Sequence, residues 1–142
     1  MRRGEATYAH RSLFQKLGVS PESRVAVVGT HDAAFLAELK MMLVKAAATT
    51  LRGQYDMIFL KLGTAVALGK IERAAEHLNA DGALWIFHPK GKGASPTDAE
   101  VRAAGLAAGL VDNKISAYSD THTASRYVVP LASRSQWPAS KR

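Results

Sequence analysis

The chain contains no cysteine and no long hydrophobic run. The absence of cysteine from its 142 residues excludes disulfides and thiolate chemistry. No apolar stretch approaches the roughly 18 residues that a membrane-spanning helix needs. The basic start, MRRGEATYAHR, lacks the apolar stretch that follows in a secretory signal. These absences predict a cytoplasmic protein that makes no membrane contact.

Acidic residues are scarce, and the imbalance lies at the two ends. The chain has 19 Lys and Arg against 12 Asp and Glu, a net charge of +7. Residues 1–18 and 133–142 each carry +3, whereas 19–132 carry only +1. We therefore expect one domain with a core of about 8–132 and flexible basic ends at 1–6 and 133–142. A nucleic-acid face on the domain itself is not expected, and weak binding through the ends is an alternative.

Hydrophobic periodicity predicts alternating strands and helices. RVAVVG (24–29) is an uninterrupted β-branched run, which is typical of a strand covered on both faces. A helix is expected to begin at Ser95 as N-cap, with Pro96 at its first position. The other expected strands are 43–50, 55–62, 83–88, 112–119 and 125–132, and the other expected helices are 8–17, 33–43 and 65–79.

This order of elements predicts an α/β fold in three layers. A mostly parallel sheet of about six strands lies between helices. The last two strands form an antiparallel hairpin, because their connection is too short for a parallel crossover. Pro130 lies in the last predicted strand and has no N–H to donate. Pairing therefore ends before Pro130, or that strand is bulged or at an edge.

Several segments resemble class I methyltransferase-like Rossmann domains. They are LFQKLGVSPESRVAVVG, YDMIFLKLGT, LNADGALWIFHPKG and GLAAGLVDNKISAYSDTHTASRYVVPL. The chain is also similar to a family of small bacterial proteins recorded as a domain of unknown function, which share LFQKLG, DGALW…PK and GLVDNK. The likeness covers most of residues 12–132. It implies a methyltransferase-like fold, with the first, fourth and fifth strands of that fold adjacent to one another.

The cofactor loop departs from the methyltransferase pattern. In that family the first strand carries an acid and ends in three spaced glycines, which let a cofactor approach the backbone. Here Gly29 matches the first glycine, His31 and Ala33 occupy the other two places, and Val27 replaces the acid. Residues 45–50 contain no acid to hold ribose hydroxyls. We therefore expect no cofactor, because bulk at His31 and Ala33 would crowd S-adenosylmethionine (SAM).

Polar residues are predicted to gather at the carboxyl edge of the sheet, where open parallel sheets bind ligands. Asp32 there is expected to be the N-cap of the helix that it precedes. The predicted ligand rim comprises Gly29, Thr30, His31, Lys61, His88, Lys90 and Lys92, a set suited to a small anion. His31 is alternatively a turn residue, His88 a structural histidine, and PKGKGASP a solvated loop.

No catalytic or metal-ligating pattern is visible. His10, His77 and His122 lack ligand spacing, and Ser116, Ser119 and Ser125 lie in no nucleophile elbow. The sequence therefore predicts a non-catalytic binding module for a partner protein, a second copy of the chain or a small anion. The alternative is an enzyme that uses SAM or a nucleotide through a degenerate glycine loop.

Overall fold

A computed structural model describes residues 17–137 and contains one mixed sheet of five strands. The strand order is β1-β2-β3-β5-β4. β1, β2 and β3 are parallel to one another, β5 is antiparallel to β3, and β4 is antiparallel to β5. The strands are β1 (Val25–Val28), β2 (Tyr55–Lys61), β3 (Leu78–Pro89), β4 (Val111–Ala117) and β5 (His122–Val128).

Helices lie on both faces of the sheet. They are α1 (Ala33–Met42), α2 (Gly69–Glu76) and α3 (Asp98–Ala107), with short 3-10 helices at Ala65–Leu68 and Leu131–Gln136. The predicted helix 8–17 lies outside the described residues, apart from Leu17. No helix within residues 17–137 combines the length and the apolar character that crossing a membrane requires.

Alternation along the strands divides the core into two clusters. On the α1 face, Phe35 and Leu39 of α1 pack with Val27, Phe59, Trp85 and Phe87. On the opposite face, which we call the α2–α3 face, Ile71 and Val101 pack with Ile58, Leu60, Leu84 and Ile86. The predicted three-layer α/β arrangement is therefore observed, with α1 on one side of the sheet and α2 and α3 on the other.

The sheet has five strands instead of the predicted six or so. Residues 43–50 form no strand; only Ala48 pairs, through a parallel bridge to Ala26. Val27 donates its N–H to the Ala48 carbonyl at 2.8 Å, and the Ala48 N–H donates to the Val25 carbonyl at 2.9 Å. The alanines of this segment offer little side chain to pack along the edge of β1, which explains why pairing stops at one residue.

Helix α3 begins two residues later than predicted. Its N-cap is Thr97 instead of Ser95, and the Thr97 Oγ1 accepts the Glu100 N–H at 3.1 Å. Glu100 Oε1 accepts the Thr97 N–H at 2.8 Å in return. This reciprocal capping box needs a Glu or Gln three residues after the cap, and Thr97 has one there whereas Ser95 does not.

The segment that follows β5 contacts the rest of the domain. β5 ends at Val128, so Pro130 lies outside the ladder and opens the last 3-10 helix. The indole N–H of Trp137 donates to the Leu78 carbonyl at 2.8 Å. Arg134 and Trp137, within the end 133–142 that was predicted to be flexible, therefore contact the domain. The predicted ends 1–6 and 138–142 lie outside the described residues.

Candidate functional site

Gly29 directly follows β1 at the carboxyl edge of the sheet, in a conformation that glycine favours. Its φ is 92°, and a Cβ added there would collide with the backbone carbonyl oxygen of Lys61, the last residue of β2. The close approach of two neighbouring strands therefore requires glycine at this position. The chain then continues through exposed Thr30 towards α1.

The ring of His31 lies inside the protein and not on the rim where the sequence placed it. His31 is 7% exposed, and its Nε2 lies 3.0 Å from the Val28 carbonyl oxygen and 2.9 Å from that of Phe59. Both partners accept, so Nε2 carries the hydrogen. The ring also stacks on Phe35, with centroids 5.4 Å apart. The imidazole is therefore buried and does not project onto the rim, contrary to the predicted obstruction.

Asp32 stands at the N-cap position of α1 but does not cap the helix with its side chain. Its Oδ2 accepts the Tyr118 hydroxyl at 2.8 Å, and its Oδ1 lies 3.6 Å from the Lys61 ammonium. The Tyr118 hydrogen bond, followed by the Lys61 charge, lowers the pKa of Asp32. Asp32 is therefore an exposed carboxylate at the rim, and the predicted capping role was wrong for its side chain.

His122 completes the polar group at this edge. It begins β5, and its Nδ1 lies 2.9 Å from the Thr121 Oγ1. Partial burial, followed by the Lys61 charge, lowers the pKa of His122, so the ring is neutral at pH 7. Sequence reasoning set His122 aside and did not consider Tyr118. Neither shows a local signal, because both reach Asp32 and Lys61 only through the pairing of β5 with β3.

The predicted ligand rim is brought together only in part. Gly29, Thr30 and Lys61 lie at the carboxyl ends of β1 and β2. Lys90 and Lys92 are exposed in the loop after β3, where the Lys90 N–H donates to the Thr121 carbonyl at 3.0 Å. Within residues 17–137, no three His, Cys, Asp or Glu side chains are grouped closely enough to hold a metal ion.

His88 is on the wrong face of the sheet for the predicted rim. Its neighbour Phe87 packs on the α1 face, so the His88 side chain points to the α2–α3 face. There it is buried, its Nε2 lies 3.0 Å from the Ser125 Oγ, and it lines a groove beside α3. The alternative interpretation, a buried histidine with a partner, describes its environment better.

The buried histidines predict that the protein loses stability in mild acid. Burial lowers the pKa of His31 and of His88 below the ordinary 6.5. In mild acid, therefore, these two histidines take up protons more readily in the unfolded chain than in the folded protein. The free energy of unfolding should therefore fall as pH drops below 6.5, by up to about 1.4 kcal/mol per pH unit for each group. Urea unfolding at pH 8, 7, 6 and 5.5 measures this slope.

His31→Phe keeps the ring stacking and removes one titrating group from this balance. The variant should be less stable than the natural protein at pH 8, because two carbonyls lose a partner, but its stability should fall less steeply towards pH 5.5. Equal slopes in the two proteins would show that His31 takes up its proton as easily in the folded state as in the unfolded one.

Comparison with known proteins places the fold. No protein-family model matches the chain, and no curated protein matches its sequence. Solved structures do match it. This is a methyltransferase-like fold. Magnesium protoporphyrin IX methyltransferase (ChlM) from Synechocystis PCC 6803, with bound SAM, aligns with a TM-score of 0.64 at 12% identity, over 88% of this chain and 80% of that chain.

Two further solved structures have the same fold. CalO1, a methyltransferase in calicheamicin biosynthesis with bound S-adenosylhomocysteine (SAH), aligns with a TM-score of 0.62 at 16% identity, over 88% of this chain and 54% of that one. The CcbJ methyltransferase from Streptomyces caelestis aligns with a TM-score of 0.56 at 10% identity, over 87% and 96%. The resemblance to the small bacterial family stays a prediction.

These neighbours correct the predicted function. A non-catalytic binding module was inferred because His31 and Ala33 were expected to block a cofactor. ChlM, CalO1 and CcbJ are methyltransferases, and ChlM and CalO1 hold SAM or SAH. Because the imidazole of His31 is hydrogen-bonded to backbone carbonyls of β1 and β2, it does not point towards the rim. The predicted steric obstruction of such a cofactor by His31 is therefore also removed. The comparisons therefore support the enzyme alternative better than the binding module.

Proposed function

We propose that this protein is an enzyme that transfers a methyl group from SAM. The observation that carries the proposal is the inward position of the His31 ring. It leaves Gly29, Thr30 and Asp32 exposed in the turn between β1 and α1, where open α/β sheets bind ligands. The loop after β1 retains only the first of the three family glycines. Because the His31 ring points inwards, a ligand can nevertheless lie against the backbone of this loop.

The charges at this edge suit the amino-acid part of SAM, which has one ammonium and one carboxylate. Asp32 offers an exposed carboxylate, and Lys61 offers an ammonium 3.6 Å from it. The Asp32 side chain makes no hydrogen bond to the N-terminus of α1, whose helix dipole favours a negatively charged group nearby. One expected contact has no counterpart, because residues 45–50 provide no acid for the ribose hydroxyls.

Proton removal from the methyl acceptor can be assigned to His122. When bound, SAM supplies an electrophilic methyl group on a sulfonium, and the acceptor atom must lose its proton to become a better nucleophile. The lowered pKa of His122 keeps its imidazole neutral and able to take that proton. The hydrogen bond between its Nδ1 and Thr121 orients the ring. Burial also raises the pKa of Tyr118, so its hydroxyl stays protonated as a donor to Asp32.

Direct binding of SAM and SAH tests the proposal. Both are expected to raise the melting temperature by several degrees and to give a saturable signal in titration calorimetry. Asp32→Asn should weaken SAM binding by about tenfold, because a charge-assisted contact is worth about 1.5 kcal/mol or more. Glu38→Gln, which removes one negative charge from the same helix away from the rim, is the matched control and should bind normally.

The alternative outcomes are distinct. If neither SAM nor SAH binds at millimolar concentration while the protein is folded, the proposal is wrong. If SAM binds equally well to the Asp32 and Glu38 variants, the cofactor does not occupy this edge of the sheet. ATP, which carries the same adenosine without the amino acid, separates recognition of the whole cofactor from recognition of adenosine alone.

A further inference from the structure

A groove on the α2–α3 face lies apart from the rim. It runs between α3 and the strands β4 and β5, and encloses about 500 Å³. Its walls include the small side chains of Ala99 and Ala103 and the larger apolar ones of Leu106 and Ile115. Leu106 is 51% exposed and Ile115 68% exposed. The size and apolar character are those of a site for a small organic molecule.

Three polar side chains from separate elements meet at one end of this groove. His88 comes from β3, Ser125 from β5 and Asp98 from the first turn of α3. The Ser125 Oγ lies 3.0 Å from His88 Nε2, and His88 Nδ1 lies 3.4 Å from Asp98 Oδ1. His88 Nδ1 is buried and, among residues 17–137, has no hydrogen-bond partner. All three residues line the groove.

Asp98 decides which nitrogen of His88 carries the hydrogen. If Nδ1 were the bare nitrogen, its lone pair would face a carboxylate, which is repulsive. Nδ1–H facing Asp98 is attractive, so Nε2 is left as the acceptor and Ser125 donates its hydroxyl hydrogen to it. This is the order of roles in a serine nucleophile, its base and the acid that orients the base.

The sheet register produces this arrangement. Ser125 pairs with Ile86 across β3 and β5, and His88 lies two residues further along on the same face, opposite Thr123. The capping box at Thr97 fixes the start of α3 and thereby holds Asp98 beside the ring. The distance of 3.4 Å is long for a hydrogen bond, as is common for such groups before a substrate binds.

We infer that the groove is a second active site, in which Ser125 attacks short-chain carboxylic esters. The Ser125 oxygen bonds to the ester carbonyl carbon while its proton passes to His88 Nε2. The bond from that carbon to the alkoxy oxygen then breaks, and the alcohol leaves with the proton from His88. Water, deprotonated by His88, releases the carboxylic acid and restores the Ser125 hydroxyl. No oxidant or reductant is required.

The chemistry around the serine supports this sequence of steps. Burial lowers the pKa of His88, so the ring is neutral and able to accept a proton. Arg102, which pairs with Asp112 at 3.5 Å, also lines the groove and brings positive charge to it, which favours the negative charge that develops on an ester oxygen. The apolar walls at Ala103, Leu106 and Ile115 suit a short acyl chain.

The experiment uses p-nitrophenyl butyrate on the full chain. We expect a stoichiometric burst of p-nitrophenolate and an acyl adduct that peptide mapping by mass spectrometry places on Ser125. Ser125→Ala and His88→Gln, each shown to be folded by circular dichroism, should reduce the burst rate by about a hundredfold or more. Ser116→Ala, which removes a buried hydroxyl from the opposite face of the sheet, should leave it unchanged.

Asp98 acts through His88 as a positioning residue, so its test is a pH profile. Asp98→Asn should slow the burst and move its half-maximal pH downwards, because the carboxylate raises the pKa of His88. The other charged or titratable groups of the groove, Arg102, Asp112 and Tyr127, and His122 on the neighbouring strand are unchanged in this variant. No adduct on Ser125 in the natural protein, or an undiminished burst in folded His88→Gln, would overturn the inference, whether or not SAM binds at the rim.

Discussion

Gly29→Ala is expected to lower the free energy of unfolding by about 3 kcal/mol. An alanine held in the left-handed region costs about 1–2 kcal/mol, and forcing an extra carbon into a packed site costs about 1–3 kcal/mol more. The obstacle is the Lys61 backbone carbonyl, which β2 holds in place through its ladders to β1 and β3. Urea unfolding followed by circular dichroism measures the loss.

Gly91→Ala is the matched control. Gly91 has a φ of 96°, almost the same as the 92° of Gly29, but an added Cβ there meets nothing within 4 Å. It should lose only the backbone part, about 1–2 kcal/mol. Equal losses in the two variants would mean that β1 and β2 can separate without cost. A larger loss of stability for Gly29→Ala than for Gly91→Ala would show that glycine is required at position 29 for the packing of β1 against β2, whether or not a cofactor binds there.

Trp85→Ala is expected to destabilise the protein by about 3–5 kcal/mol, the usual cost of removing a large aromatic side chain from a core. Trp85 lies in β3 at the centre of the sheet and is fully buried. Its indole N–H donates to the Leu17 carbonyl at 2.7 Å, so the variant also loses a buried hydrogen bond. A loss of this size is a large fraction of the stability of a small domain.

Two comparisons sharpen the Trp85 experiment. Trp85→Phe keeps most of the ring volume and removes the N–H, so it should lose less than Trp85→Ala. Trp137→Ala removes the other indole, which is only partly buried although it also donates to a carbonyl, and should cost less. If Trp85→Ala cost under about 1 kcal/mol in urea unfolding, the centre of the α1 face would be able to collapse around the cavity.

The parallel strands β1 and β2 could be predicted from the sequence because burial on both faces requires mostly apolar residues. VAVV in β1 and YDMIFLK in β2 are covered on both faces, and such strands need continuous apolar residues. Pro130 marked a limit on the last strand, and β5 does end before it. These signals are local, so a single sequence contains them.

The misplaced residues depend on contacts between distant segments. His31 follows a strand and reads as a turn residue, but its ring contacts two backbone carbonyls, of Val28 and Phe59, on β1 and β2. Asp32 reads as a cap, but Tyr118, 86 residues away, competes for its carboxylate. Residues 43–50 read as a strand, but only Ala48 has a partner. Sequence spacing cannot predict these contacts, because they form only when distant strands pair.

Phe87 and His88 are consecutive on β3 and belong to different faces of the sheet. A deletion of one residue within that strand would turn the phenyl ring towards Ser125 and carry the imidazole in among Phe35 and Phe59. Neither side would tolerate the exchange: the groove would lose its only base from β3, and the aromatic cluster would have to bury an extra polar ring. Insertions or deletions within β3 should therefore abolish function, whereas insertions in the loops on either side of β3 should be tolerated.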